Sequence, residues 1–205
     1  MALLSENEQR QVGEAISRIE RDTDAEIVTV LARQADDYRY IPLLWAGLVA
    51  LVVPGAINFF PQWLGAGQLL VVQWGVFVVM SLIFRLPAVT TRLIPRQVRF
   101  WRASNLARRQ FLEHNLHYTE AGTGMLIFVS EAERYVEILV DRGISSRLGD
   151  DEWAQIVATF TAQVKNGQTL QGFLDCIGRC GALLKVHVPA THERNELPDR
   201  LIVLD

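Results

Sequence analysis

Two pairs of residues carry side chains that could bind a metal ion. His114 and His117 are three residues apart near the end of a predicted helix, where two imidazoles could share one face. Cys176 and Cys180 are one helical turn apart. The sequence offers neither pair an evident third ligand. Histidine is favourable near a helix C-terminus in any case, and small thiols are common in cores. The spacing therefore favours structural roles for all four.

The sequence contains no other motif of a known chemistry. It has no Gly-rich phosphate loop, no Ser-His-Asp order and no zinc-ligand spacing. Asp150 and Asp151 open a predicted helix, where carboxylates complement the helix dipole. Two cysteines are too few for a disulfide framework and fit reduced thiols in the cytoplasm. No catalytic residue is predicted from these patterns.

One long block of the chain is entirely uncharged. From Ile41 to Phe84 there are 44 residues without Asp, Glu, Lys or Arg. A helix crosses a hydrocarbon core with roughly 20 apolar residues, so the block suffices for two passes, at about 41–60 and 68–86. The alternative is a pair of buried core helices, but soluble cores of this size rarely lack charge for so long. The sequence predicts a transmembrane helical hairpin.

The charges around this block are strongly asymmetric. Residues 85–120 carry seven arginines against two glutamates, whereas the turn between the two passes has no basic residue. By the positive-inside rule, we expect both ends of the hairpin, and hence both termini, on the cytoplasmic side of the inner membrane. The arginines are crowded near the hairpin rather than spread over a domain face, which argues against nucleic acid binding. The predicted membrane-surface residues are Arg85, Arg92, Arg96, Arg99 and Arg102.

The polar parts of the chain predict an α/β fold. Ser5 and Glu8 form a capping box that opens the first helix. Two short β-branched runs, at 25–32 and 124–130, are typical of buried strands, and a crossover between them makes them parallel. The run at 135–141 follows a tight turn and predicts an antiparallel partner. The other expected elements are helices at about 95–116, 150–164 and 169–186 and, at the C-terminus, a strand or an extended tail.

The motifs in these polar parts resemble the TPM domain family. The resemblance lies in "LSENEQRQVGEAISRIERDTDAEIVTVLA", in "GTGMLIFVSEAERYVEILVDRGISSRLGDDEWAQIV" and in the helix pair that follows, about 160 residues in all. The family includes a thylakoid-lumen phosphatase, a photosystem II repair factor, a receptor-accessory protein and bacterial members. It implies an αβα sandwich around a small mixed sheet, interrupted here by the hairpin. The expected division is 1–37, the first helix and strand, then 38–91, the hairpin, then 92–205, the remainder.

The resemblance also implies a possible metal site. Acid phosphatase activity in the family goes with a divalent cation held by acidic loops, and Asp141, Asp150 and Asp151 occupy the matching loop after the third strand. Ca²⁺ or Mg²⁺ would be the expected ion. The chain departs from the family pattern in two places. An acidic motif before the first helix is reduced to "MALLSENE", and "DRG" stands where many members have Gly-x-Gly. The three aspartates are therefore weak candidate ligands.

Two functions from different classes follow. The favoured hypothesis is a non-catalytic, membrane-anchored TPM protein that faces the cytoplasm and binds or helps to assemble a membrane-protein partner. The alternative is a membrane-tethered, metal-dependent phosphatase. A carboxylate-lined pocket at the end of the sheet would favour the phosphatase. The absence of that pocket, together with an exposed apolar groove, would favour partner binding. The sequence leaves the partner and the oligomeric state open.

Overall fold

The computed structural model describes residues 4–38, 40–59, 65–86, 89, 94–191, 198 and 200–204, apart from the side chains of Asn58 and Asp150. The chain divides into two compact units. The first combines Met1–Ala35 with Phe100–Asp205, and the second is Asp36–Arg99. The first unit is therefore assembled from two stretches of chain that flank the second.

The first unit follows the predicted order of helices and strands, with a fourth strand added. One of its helices, α4, begins four residues before the boundary between the units. In the described residues the elements are α1 (Glu6–Glu20), β1 (Glu26–Ala32), α4 (Arg96–Glu113), a 3₁₀ helix (Leu116–Tyr118), β2 (Gly124–Ser130), β3 (Tyr135–Val140), α5 (Arg142–Ser145), α6 (Asp150–Lys165), α7 (Thr169–His187) and β4 (Leu201–Leu204).

The four strands form one mixed sheet in the order β3-β2-β1-β4. Strand β1 is parallel to β2, with Val28 opposite Leu126, and parallel to β4, with Val30 opposite Ile202. Strand β3 is antiparallel to β2. The mixed sheet and its flanking helices confirm the predicted α/β class. They also show that the C-terminal segment is a strand rather than an extended tail.

Helices cover both faces of the sheet. On one face, α1, α6 and α7 pack on side chains such as Ile27 of β1 and Ile127 of β2. On the other face, α4 packs through Ala103 and Ala107 against residues that include Phe128. Strands β1 and β2 are buried along their whole length because each has helices on both sides and a strand at each edge. Their continuous apolar sequences follow from this position.

Helix α1 begins with the predicted capping box. The backbone N–H of Glu8 donates to Ser5 Oγ at 3.3 Å, and the Ser5 N–H donates to Glu8 Oε2 at 2.8 Å. Two of the N–H groups that a helix start leaves unpaired are thereby satisfied. Val12 and Ile16, one turn apart, are fully buried against the core.

The glycines of α7 have different roles. Three glycines, Gly172, Gly178 and Gly181, lie within the helix. A Cβ atom at Gly172 would lie 2.3 Å from the Phe160 ring, and one at Gly181 would lie 2.5 Å from Ile19, so these two are required for packing. Gly178 has no such role, because a Cβ there would meet nothing within 4 Å. Gly178 is on the solvent side of the helix.

Helix α4 is shorter than the sequence predicts. The apolar pattern extends it to Leu116, but the α-helix ends at Glu113 and the chain turns at Asn115, whose φ of 56° is left-handed. Asparagine tolerates this conformation better than most residues. The apolar Leu116 that prolonged the pattern is fully buried, but it belongs to the following 3₁₀ helix.

The second unit contains two long apolar helices, α2 (Tyr40–Phe59) and α3 (Ala66–Ile83), at the positions predicted for the hairpin. They contact each other. Ala46 and Ala50 of α2 are buried, and their small side chains permit close approach of the two helices. The turn between the helices falls outside the described residues, except for Gly65.

Candidate functional site

The second unit exposes an unusual amount of apolar surface. Among its most exposed side chains are Leu51 at 68 %, Val71 at 73 % and Trp74 at 67 %. No residue of α3 is buried. Both helices are long and apolar enough to cross a membrane. A core helix of a soluble protein would be mostly buried, so these surfaces need a non-aqueous environment or a covering partner.

Three of the five predicted membrane-surface arginines belong to the described part of the second unit. Arg85 follows the end of α3 and is exposed, and Arg96 and Arg99 are at the start of α4, where Arg96 is exposed and Arg99 half-buried. Arg92 lies outside the described residues. In the first unit, the Arg102 guanidinium is 5.0 Å from the centroid of the Trp101 ring, within cation–π range.

The part of α4 in the first unit presents large apolar side chains to solvent. Trp101 is 59 % exposed and Leu112 is 56 % exposed. They are eleven residues apart, about three helical turns, and so share a face. Ala103 and Ala107 are fully buried and attach the helix to the sheet. We call Trp101, Arg108 and Leu112, which are all exposed along this side of the helix, the α4 outer face.

The acidic loop after β3 is held by close backbone contacts. The N–H of Gly143 donates to the Gly122 carbonyl at 2.7 Å, and a Cβ at Gly143 would lie 2.3 Å from the carbonyl oxygen of Ala121. Gly122 itself has a left-handed φ of 64°. The glycines of the "GTG" and "DRG" motifs therefore pack two loops together. This close packing accounts for Gly122 and Gly143 without a bound ligand.

The three candidate metal ligands lie on two different elements. Asp141 caps the short helix α5, and its Oδ1 accepts a hydrogen bond from the Arg142 N–H at 2.8 Å. Asp151 is exposed in the first turn of α6, and the side chain of Asp150 lies outside the described residues. Within the part of the chain that the structure describes, no three His, Cys, Asp or Glu side chains are grouped so that they could hold a metal ion.

The two histidines do not share a helical face. His114 follows the end of α4, and its Nε2 lies 3.1 Å from Gln110 Oε1. His117 belongs to the 3₁₀ helix beyond the turn, with its ring 4.3 Å from that of Tyr118. Burial lowers the pKa of His114, which favours the neutral imidazole. This geometry suits structural roles rather than a shared metal.

The two cysteines are buried free thiols. Their Sγ atoms are 3.9 Å apart in the core face of α7. The hydrogen bond with Cys176, together with burial, raises the pKa of Cys180 well above its usual value. The raised pKa favours the neutral thiol of Cys180 over the nucleophilic thiolate at neutral pH.

A buried carboxylate that the sequence did not single out is at the opposite end of the sheet. Glu133, in the turn between β2 and β3, is 3 % exposed. Its Oε2 accepts hydrogen bonds from the Ala35 N–H, at 3.1 Å, and from the Ser130 hydroxyl. The carboxylate thus ties the chain that leaves β1 to the end of β2. The "SEAER" motif predicts a turn. It does not indicate that Glu133 is buried, because a charged residue in a turn is usually exposed.

A second carboxylate, on β3, is partly buried under α4. The Ser104 hydroxyl donates to Glu137 Oε1 at 3.2 Å, and among the described residues Oε2 has no hydrogen-bond partner. Burial raises the pKa of Glu137 and raises that of the adjacent Tyr135 to about 12. Both groups are therefore neutral over a wider pH range than in water.

A cleft of about 770 Å³ opens near the end of β2. Its charged lining residues are two acids, Glu8 and Glu131, and two bases, Arg134 and Lys165. Glu131 accepts a hydrogen bond from the Thr169 hydroxyl at 3.0 Å. The candidate metal ligands are not among the residues that line this cleft. Its two acids are balanced by two bases, whereas a site for a hard cation needs several carboxylates close together.

Comparisons with known proteins agree with this fold. The solved NMR structure of the BA42 protein from the psychrophilic bacterium Bizionia argentinensis is similar to this chain, with a TM-score of 0.61 and 18 % sequence identity over 98 % of this chain and 94 % of that one. At this identity the similarity concerns the fold alone. No curated protein matches the chain.

The family model of the TPM domain matches residues 89–183. This segment begins after α3 and includes α4, β2, β3, α6 and most of α7. Helix α1 and strand β1 precede the match, although β1 is central to the same sheet. The match spans just under half of the chain, and it agrees with the resemblance to the TPM domain family that the sequence motifs carry.

Proposed function

We propose that this chain is anchored in the cytoplasmic membrane by α2 and α3, with its TPM domain in the cytoplasm, and that it binds a membrane-protein partner without catalysing a reaction. The observation that best supports membrane anchoring is the solvent exposure of the apolar helix α3. Its eighteen residues include no buried one, and its surface is almost wholly apolar. Removing such a surface from water is favourable by about 25 cal/mol per Å² of apolar area.

The charges support the proposed orientation. Arg85, Arg96 and Arg99 lie at the end of the second unit where the chain enters and leaves the helices. Anionic headgroups on the cytoplasmic side attract each such residue by about 1 kcal/mol. We extend this role to Arg92 and Arg102 because of their positions in the sequence.

The α4 outer face supports partner binding. Exposed tryptophan and leucine on one side of a helix leave apolar surface in water, and tryptophan and arginine are enriched at the centres of protein interfaces. Trp101 and Leu112 offer two apolar anchors about three turns apart, with Arg108 between them. We infer that an integral membrane protein with an apolar, acidic cytoplasmic surface is the partner.

Photo-crosslinking tests the partner hypothesis directly. Replacing Trp101 with photoreactive benzoylphenylalanine should give a crosslinked product to one integral membrane protein in cells. The same replacement at Arg179, which is exposed on α7, should not give this product. Adding Leu112→Ser should weaken the Trp101 crosslink. Equal crosslinking from both positions, or none from Trp101, would contradict partner binding through α4.

A further inference from the structure

The second unit contains a small cavity at the end of the helix pair where the chain enters and leaves. It has a volume of about 210 Å³ and is lined by Leu43, near the start of α2, and by Phe77, Val78, Ser81, Leu82 and Arg85, near the end of α3. Its surface is mostly apolar. Arg85 and Ser81 supply its polar groups.

Neither polar side chain of the cavity has a partner among the residues that the structure describes. The Ser81 Oγ is shut off from solvent and has no hydrogen-bond partner among the described residues. Arg85 is exposed, and the described part of the chain provides no hydrogen bond or ion pair for its guanidinium. A buried hydroxyl without a partner costs about 1–3 kcal/mol, so a ligand that accepts its hydrogen bond is favoured.

We propose that this cavity binds one anionic phospholipid, an inference that rests on the proposed membrane anchoring. The Arg85 guanidinium binds the phosphodiester, to which it can donate two parallel hydrogen bonds. Ser81 is one helical turn deeper than Arg85, level with the glycerol ester of a lipid whose phosphate is at the arginine. Leu43, Phe77 and Leu82 contact the first part of an acyl chain.

The apolar lining selects a lipid over a free phosphate. A soluble phosphate would gain nothing from Leu43 or Phe77 and would leave them exposed, whereas an acyl chain covers them. Among the described lining residues the single charge is the positive one of Arg85, which favours a lipid with net negative charge over a zwitterionic one.

Native mass spectrometry of the full-length protein in detergent tests the site. Palmitoyl-oleoyl phosphatidylglycerol should remain bound as one copy, and the phosphatidylcholine with the same chains should bind at least about tenfold more weakly. Arg85→Gln should weaken phosphatidylglycerol binding about tenfold or more, and Ser81→Ala a few-fold. Arg179→Gln, which removes the same charge from an exposed position on α7, should leave binding unchanged.

Three results would overturn the proposal. The first is equal affinity for the two lipids, and the second is unchanged phosphatidylglycerol binding in Arg85→Gln. The third comes from thermal melting of the protein with added ligand: glycerol phosphate would raise the melting temperature as much as phosphatidylglycerol does. Carbonate extraction of the same variants separates this proposal from the anchoring. A protein that stays in the membrane pellet but shows no lipid preference rules out only the lipid site. A protein that carbonate removes from the membrane contradicts the anchoring itself.

Discussion

The Glu133 carboxylate accepts a hydrogen bond from the backbone N–H of Ala35 at 3.1 Å, although the two residues are 98 positions apart in the sequence. Ala35 is the last residue of the first unit before the chain enters the second unit. Glu133 comes after the second unit in the sequence, in the turn that follows β2. The contact therefore joins the two stretches that build the TPM-like sheet, close to the point where the second unit is inserted.

Replacing Glu133 should destabilise the first unit. Glu133→Ala would leave the Ala35 N–H and the Ser130 hydroxyl without this buried partner, at an expected cost of about 1–3 kcal/mol in the free energy of unfolding. Thermal melting of the detergent-solubilised protein measures this loss of stability. As a control, Glu14→Gln breaks only an exposed pair with Arg10 and should cost less than about 1 kcal/mol. Equal effects of the two variants would show that the Glu133 contact is not stabilising.

The segment before the helix pair should be essential for folding. Strand β1 is between β2 and β4, so residues 90–205 alone would lack the strand that pairs with both. We expect this fragment to show no cooperative melting transition. Residues 1–37 joined by a short flexible linker to residues 92–205 should regain one. A cooperatively folded 90–205 fragment would mean that β1 is dispensable.

The stability of the first unit should depend on the ionisation of Glu137. Burial raises the pKa of Glu137 in the folded protein, so the folded state binds more protons than the unfolded state between the two pKa values. Its contribution is therefore full at acid pH and is lost as the pH rises through the folded pKa. Glu137→Gln should raise the melting temperature relative to wild type at about pH 8, and the difference should shrink towards about pH 4. A constant difference would contradict the raised pKa.

The alternative phosphatase function predicts a metal site that the described side chains do not form. We expect at most millimolar affinity for Ca²⁺ or Mg²⁺ and no phosphomonoester hydrolysis that depends on Asp141, Asp150 or Asp151. Asparagine caps helices as well as aspartate does, so Asp141→Asn should preserve α5. Calorimetry and a phosphatase assay check both points. A metal-stimulated rate that is abolished by Asp150→Asn and Asp151→Asn, with melting unchanged, would establish the phosphatase.

The sequence predicted the features that depend on local pattern. The buried strands β1 and β2, the antiparallel β3 and the Ser5–Glu8 capping box are all confirmed, because each is encoded within a few consecutive residues. The apolar block likewise located both helices of the second unit to within a few residues.

The features that the sequence left open depend on distant contacts. Strand β4 exists because its four residues pair with β1, more than 160 positions earlier in the chain. The buried role of Glu133 depends on Ala35, and the cavity of Ser81 and Arg85 depends on Leu43 of the neighbouring helix. Gly178 and Gly181 look alike in sequence, and only the position of Ile19 distinguishes them.

Cysteine accessibility in intact cells tests the central claim, that the helix pair spans the membrane and leaves its flanking segments inside. Cys176 and Cys180 are buried and provide little background. Gly65→Cys, just before α3, should react with a membrane-impermeant thiol reagent added outside, and Glu8→Cys should react only after the membrane is permeabilised. Reaction of Glu8→Cys in intact cells, or protection of Gly65→Cys there, would contradict the proposed topology.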